Sequence, residues 1–546
     1  MPKSKAGAII LVITVAVFVT LQAKRQAERT LGLPTIIPQP AEIEHQHGTF
    51  ELGPQCGIFC ETQTFAATLL VERLRTVTGY AVPLSPVSSN EQGRGTILLT
   101  TRGMDPALGS EGYELVVAPD HICIAANGPA GLLYGSESLL ELLPPQVFGQ
   151  HTAGSRAWSV PCVRIRDQPR LTWRGFMLDV SRHFFSTAEI KKLLDEMALH
   201  KLNIFHWHLT DDQGWRLEIK KYPELTKVGA WRKRIGFNLD AKSSTAYDAQ
   251  GRYGGFYSQA DIREIVAYAH ARNITIVPEI DVPGHSSAAL AAYPQFSCSG
   301  GPYTTDMSEA VSAGVFCPGN DETFKFLDDV LAEVMELFPG PFVHIGGDEV
   351  PKQNWRKCPR CQTRIRQEGL KDEHELQHYF FHRLEQFIDA HGKRAVGWSE
   401  IGSGTLAQGT VLMDWIGGGV EAARTGHDVV MSPEEFCYLD FYQSQDRNAE
   451  PPAAGAYLPL EKVYSFEPVP AQLDSAHQKL ILGAQANLWT EYIPSMSRVE
   501  YMTFPRLCAL AEVVWSPKHS RNWDDFSRRL EVQKARLDQL GIQYRH

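Results

Sequence analysis

The 546-residue chain has no surplus of positive charge. Its 53 Lys and Arg stand against 63 Asp and Glu, a formal net charge of −10. A general nucleic-acid role is disfavoured, because phosphate binding calls for a basic face. No Ser–His nucleophile pattern is evident among its polar residues. Cys358-Pro359-Arg360-Cys361 is a CxxC without a second one, so we read it as a local disulfide rather than zinc. No cysteine follows the N-terminal apolar run closely enough to suggest a lipoprotein.

What is present begins with that run. Lys3 and Lys5 precede an apolar stretch from Ala6 to Leu21, and Lys24 and Arg25 follow it. The pattern reads as a secretory signal over residues 1–23. At about 16 residues the run is short for a membrane span. Leu21 sits where a cleavage site prefers a small residue, so an uncleaved membrane anchor is the alternative. Either form puts the protein outside the cytoplasm, secreted or periplasmic. The ten cysteines fit an oxidising compartment. Cys298 and Cys317 bracket a loop that a disulfide would staple, although connectivity cannot be read from spacing.

Hydrophobic content of 43% is enough for a large core, and the length implies two domains. Residues 33–166 read as a small α+β domain. Short β-rich runs (Thr96–Thr100, Tyr113–Val117, His121–Ala125) mix with helical patterns at Ala66–Val77 and Ala130–Leu143. From residue 167 to 546 the pattern changes. Eight runs alternate with helical stretches: Gly175–Ser181, Asn203–Leu209, Ile274–Asp281, Phe342–Glu349, Ala395–Ile401, Val411–Trp415, Asp428–Ser432 and Leu482–Trp489. Ser186 and Glu189 form a capping box before the stripe Ile190, Leu193, Leu194 and Met197. Alternating strands and helices imply a parallel sheet, and eight units imply a (β/α)₈ TIM barrel, an α/β fold, with a C-terminal helix. Long insertions at 211–255 and 285–321 are where a pocket would be built.

Barrels place chemistry at the C-terminal strand ends. Here those ends carry Asp179 and Arg182; His206, His208, Asp211 and Asp212; Glu279, Asp281 and His285; His344, Asp348 and Glu349; Trp398 and Glu400; Asp414 and Trp415; Tyr438 and Asp440; Trp489 and Glu491. Many carboxylates with several Trp suggest glycoside cleavage. Asp348 and Glu349 are neighbours on one strand, so their side chains are expected to diverge. That suits a proton donor beside a substrate-holding group better than two facing acids. The nucleophile could then be the substrate itself, as the carbonyl oxygen of a 2-acetamido sugar allows.

His344-Ile345-Gly346-Gly347-Asp348-Glu349 resembles the signature of glycoside hydrolase family 20, the β-N-acetylhexosaminidases. The stretches 178–184, 206–215 and 279–285 resemble the same family. The resemblance implies exo-acting, retaining removal of terminal β-linked GlcNAc or GalNAc through an oxazolinium ion. It makes Glu349 the general acid/base, with a pKa raised by burial and neighbouring carboxylates. Asp348 would hold the acetamido N–H and Tyr438 its carbonyl oxygen. Trp398, Trp415 and Trp489 would box the methyl and the sugar face. Arg182 would grip O3 and O4, and Asp440 and Glu491 the O4 and O6 side. An acid at 440 should repel a sulfated sugar. Asp211 and His285 would support the acid. No metal or cofactor is required, although His206 and His208 share a strand face that can bind zinc. Partners are oligosaccharides, not nucleic acid, and oligomeric state is not legible. Two other readings compete: a silent sugar-binding protein, and a variant releasing a disaccharide.

Overall fold

The computed structural model describes residues 34–87, 95–152, 154, 157–233, 247–305, 314–403 and 406–546. The expected signal or anchor segment, 1–23, lies outside them. Among the described residues no helix is long and apolar enough to cross a membrane.

The first unit is a seven-stranded mixed sheet. In spatial order its strands are Glu42–Leu52, Trp158–Asp167, Tyr113–Val117, His121–Ala126, Thr96–Thr100, Gly57–Cys60 and Leu84–Pro86. Helices Phe65–Thr78 and Pro129–Leu142 pack against it. Strand Glu42–Leu52 has no apolar alternation, because as an edge strand most of its side chains stay exposed.

The second unit is a closed barrel of eight parallel strands. They are Trp173–Asp179, Ile204–His208, Thr275–Glu279, Phe342–His344, Arg394–Trp398, Val411–Asp414, Asp428–Met431 and Ile481–Leu488. All eight expected strands form, and the last pairs with the first to close the ring. Helix Thr187–Leu199 follows the first strand. Ser186 and Glu189 make the reciprocal capping box, and Ile190, Leu193, Leu194 and Met197 face the core. Each such fully buried aliphatic contributes about 1.5–3 kcal/mol.

The fourth strand departs from expectation. It ends at His344, not Glu349, so the acid pair sits on a loop. Gly346 and Gly347 turn the chain there at φ +64° and +110°. A Cβ on Gly346 would lie 1.7 Å from Asp281 Oδ1, and one on Gly347 2.5 Å from Ile401 Cγ2. Only glycine satisfies both the backbone and the space.

Neither expected disulfide forms. All ten cysteines are free, including Cys298, Cys317, Cys358 and Cys361. With no sulfur pair bonded, the cysteine count no longer argues for an oxidising compartment.

Candidate active site

A pocket opens at the C-terminal end of the barrel. It is lined by Arg182, His285, Asp348, Glu349, Trp398, Trp415, Tyr438, Trp489 and Glu491. Nine of the eleven residues singled out from sequence therefore meet in one cavity. Asp211 lies just behind the wall, and Asp440 is buried near Glu491 without lining the pocket.

Glu279, at the end of the third strand, anchors the floor. Its Oε1 accepts from Trp398 Nε1 at 2.9 Å and lies 2.9 Å from His344 Nδ1. Its Oε2 lies 2.9 Å from His206 Nε2 and contacts His208 Nδ1. Although burial opposes it, the three imidazoles hold this carboxyl well below the usual range. His208 reaches onward, its Nε2 3.1 Å from Asp211 Oδ2. Burial alone would lower the His208 pKa, but Glu279 and Asp211 hold it well above the ordinary imidazole value. Sequence reading placed Glu279, His206 and His344 at strand ends but gave them no role. Their shared hub becomes visible only when three strands are side by side.

Asp211 has two further partners. Arg182 Nη2 is 2.8 Å away and His285 Nδ1 is 3.2 Å away. Arg182 also contacts Asp179 at 3.0 Å and Glu491 at 3.6 Å, and Gln213 accepts from its Nε at 2.8 Å. Its guanidinium carbon lies 5.1 Å from the Trp489 ring centroid. The arginine is thus aimed rigidly while one face of it still lines the pocket. Asp179 and Gln213 do this holding, and neither was assigned from sequence.

His285 joins the two acids. Its Nε2 is 3.5 Å from Asp348 Oδ2 and 3.5 Å from Glu349 Oε2. The expected divergence of the pair is therefore not observed. Strand alternation does not apply to a loop, and both carboxylates converge on one imidazole. His285 and Glu349 themselves have left-handed backbones, φ +46° and +49°. Non-glycine residues there are strained by about 1 kcal/mol or more, which the surrounding structure must offset.

The two acids have opposite electrostatics. Burial, reinforced by Glu400, Glu279 and Glu349, pushes Asp348 up to about 7 despite His285. Its Oδ1 is buried with no hydrogen-bond partner. Glu349 is 45% exposed, and the His285 contact holds its carboxyl below the usual value. The expectation of a raised Glu349 thus fails in the open pocket: it is too wet and too close to an imidazolium. Burial pulls His285 down, but Asp211 and Asp348 outweigh that and keep it well above 6.5.

Aromatic walls complete the site. Trp415 stacks on Tyr438 at 6.1 Å and 17°, and donates to Glu400 Oε2 at 2.9 Å. Trp489 packs 5.8 Å from Trp398 and 6.4 Å from Tyr438. Burial raises the Asp440 carboxyl well above its usual range.

An eight-stranded parallel barrel with an acid-lined, Trp-walled pocket at its C-terminal face defines a glycoside hydrolase. Residues 171–518 match the model of glycosyl hydrolase family 20, catalytic domain, and residues 33–168 match domain 2 of that family. The β-hexosaminidase of Porphyromonas gingivalis is 42% identical over 539 residues, covering 96% of this chain and 67% of that one. A Vibrio furnissii β-hexosaminidase is 38% identical, covering 87% and 76%. Among solved structures, a family 20 exo β-N-acetylglucosaminidase from Vibrio harveyi, in complex with N-acetylglucosamine, superposes with TM-score 0.80 at 37% identity. That match covers 94% of this chain and 78% of that one. The family 20 β-N-acetylhexosaminidase of Streptomyces coelicolor gives 0.81 at 32% identity, covering 94% and 97%. The chain belongs to glycosyl hydrolase family 20 and is a glycoside hydrolase of the β-N-acetylhexosaminidase type.

Proposed function

We propose that this enzyme removes single terminal, non-reducing β-linked GlcNAc or GalNAc residues with retention, using the substrate's acetamido group as nucleophile. The observation that carries the reading is Asp348: a buried carboxyl with a free oxygen, on a pocket floor walled by three indoles and Tyr438.

In this reading the acetamido carbonyl oxygen attacks the anomeric carbon while the glycosidic C–O bond breaks. Asp348 accepts the acetamido N–H and offsets the positive charge that develops on the group. The Tyr438 hydroxyl donates to the acetamido oxygen and aligns it. Trp398, Trp415 and Trp489 enclose the methyl and the sugar face. Glu349 gives its proton to the leaving oxygen, then takes one from the water that opens the oxazolinium ring. A sugar seated over Glu349 removes the water that now solvates it, which raises its pKa toward the acid role. His285 and Asp211 keep both acids oriented. Arg182, ion-paired with three carboxylates, presents its remaining donors to O3 and O4, and Glu491 and Asp440 close the O4 and O6 side. A pocket closed beyond the non-reducing sugar makes the enzyme exo-acting.

The Lys-flanked apolar segment supports a site of action outside the cytoplasm, either as a secreted or periplasmic enzyme or held by an uncleaved anchor. The test of the chemistry uses p-nitrophenyl β-glycosides of GlcNAc, GalNAc and glucose. Turnover of the acetamido sugars should exceed that of the glucoside by at least about 100-fold. Equal turnover of the glucoside would overturn substrate assistance, and silence on all three would favour a sugar-binding protein.

A further inference from the structure

Four cysteines from two distant segments converge beside the active-site loops. Cys298 Sγ lies 3.6 Å from Cys361 Sγ, and Cys317 Sγ lies 3.5 Å from Cys361 and 3.7 Å from Cys358. All four sulfurs fall within 4.8 Å of one another. A disulfide requires about 2.05 Å, so these are not bonded pairs. Four thiolates at about 2.3 Å from one zinc ion stand about 3.8 Å apart, the edge of the tetrahedron. These three spacings match that edge, and the other three fall within 4.8 Å. From these distances we propose that Cys298, Cys317, Cys358 and Cys361 form a structural Cys₄ zinc site.

The surroundings fit a metal better than four idle thiols. Cys317, Cys358 and Cys361 are buried, and Cys298 is partly so. They sit in a small cluster of their own with Val315, Val350, Trp355, Ile365 and Leu376. Cys358 stands at the N-cap position of helix Pro359–Gln367, and Cys361 lies in its first turn, where the helix dipole favours thiolates. Zinc with four thiolates carries two net negative charges. Arg360 lies against Cys317 and Cys358, and its Nη2 donates to Ser297 O at 2.8 Å, bridging the two segments. The backbones are pressed together at the same point. A Cβ on Gly319 would come within 2.3 Å of the Arg360 carbonyl carbon and 2.4 Å of Cys361 N. Trp355 Nε1 adds a bond to Phe316 O at 2.9 Å.

The disulfide reading of this CxxC rested on the lack of a second one, yet the sequence also carries a histidine pair downstream. Cys358, Cys361, His374 and His378 read C-x₂-C-x₁₂-H-x₃-H, the zinc-finger pattern. The group that converges instead draws its second pair from Cys298 and Cys317, and neither histidine belongs to it. A closed set of four protein ligands leaves no open position, so the site is structural and not catalytic. It ties the loop that follows His285 to the segment that follows Glu349. The chain also meets itself just where these two segments begin: a Cβ on Gly284 would lie 3.4 Å from Asp348 O and 3.6 Å from Val350 Cα. The metal would therefore hold still the two loops on which the acids converge. This assignment stands independently of the sugar specificity proposed above.

The experiment uses the full chain purified without metal-affinity chromatography. Elemental analysis should find about one zinc per chain, and mercurial titration of the thiols should release it in step with metal loss. Cys361→Ala should lower bound zinc at least about tenfold. Less than about 0.1 zinc per chain in the parent protein would overturn the site. So would a denatured, non-reduced mass about 4 Da below the fully reduced one, the signature of two disulfides. Iron in place of zinc would overturn the choice of metal, and zinc fully retained by Cys361→Ala would show an adventitious ion only. Where the variant does not fold, the metal content and mass of the parent protein still decide.

Discussion

Two buried polar networks in this molecule look alike by composition and differ in how they are completed. One joins the first unit to the barrel. There Asp167 accepts from Tyr113 Oη at 2.7 Å, Lys201 Nζ at 3.1 Å, Trp515 Nε1 at 3.0 Å and Ala41 N at 2.9 Å. Glu512 is met by Arg529, Tyr464 and Gln39 N in the same way. Both oxygens of each acid are occupied. The other network lies at and behind the pocket: Asp348, which lines it, has a buried Oδ1 without a partner, and Asp281 Oδ2 and Asp440 Oδ1 are buried without one outside its wall. A buried, unpaired polar atom costs about 1–3 kcal/mol, so each is a standing cost of folding. The contrast separates a carboxylate that holds the fold from one kept open for a ligand. Burial and charge alone do not separate them.

The comparison breaks most visibly in rates. Asp348→Asn should lose about 10²–10³-fold in kcat on GlcNAc glycosides with good and poor leaving groups alike, because it acts on ring closure. Glu349→Gln should lose about 10²–10⁴-fold with a poor leaving group and much less with p-nitrophenolate, which leaves without a proton. Steady-state kinetics on paired substrates measure both. Near-normal turnover by Asp348→Asn would mean that its open oxygen has another purpose. The next effect falls on the other network. Asp167→Ala strands Lys201 as a buried, unpaired cation, and should cost about 3–5 kcal/mol in stability. Denaturant unfolding should show the loss, while kcat of the folded fraction stays within a factor of about two of the parent. A large kcat defect there would dissolve the distinction.

Much of this was legible before folding. Parallel barrel strands are covered on both faces, so they read as short β-branched and apolar runs, and all eight were recognisable. Their polar ends marked nine of the pocket's residues, because no strand-core role explains Arg182, Trp415 or Glu491. Less was legible where contacts are not local. The length of the fourth strand depended on Asp281, 65 residues before Gly346, leaving no room for a side chain there. The hub role of Glu279 depended on donors from three other strands. The four cysteines were read as neighbours in sequence, Cys298 with Cys317 and Cys358 with Cys361. Their sulfurs group across two segments, which spacing does not encode. The opposite pKa directions of Asp348 and Glu349 turned on the His285 contact to Glu349 and the deeper burial of Asp348, neither of which adjacency in sequence encodes.

The smallest effect sharpens the comparison through pH. The Asp348 carboxyl is pushed up to about 7 from an ordinary 3.8. Below about pH 4 it is protonated in folded and unfolded chains alike, so it adds no penalty. As the pH rises past 4, the unfolded chain releases this proton and the folded one does not. Unfolding is therefore favoured increasingly until the folded carboxyl itself ionises near pH 7, and the penalty is then constant. Asp348→Asn removes the ionisation. The full shift is worth about 4 kcal/mol by linkage, and because the titration is shared with the neighbouring charged groups about half of it is expected: the variant should be about 2 kcal/mol more stable than the parent at pH 8 and should lose that advantage toward pH 4. Asp167→Asn should instead be destabilised at both pH values, because its amide N–H₂ would face donors that the carboxylate now accepts from. Urea unfolding of both variants at the two pH values reads the difference. An Asp348→Asn protein no more stable than the parent at pH 8 would mean that the open carboxyl carries no folding penalty. The pocket network would then be as well completed as the one around Asp167.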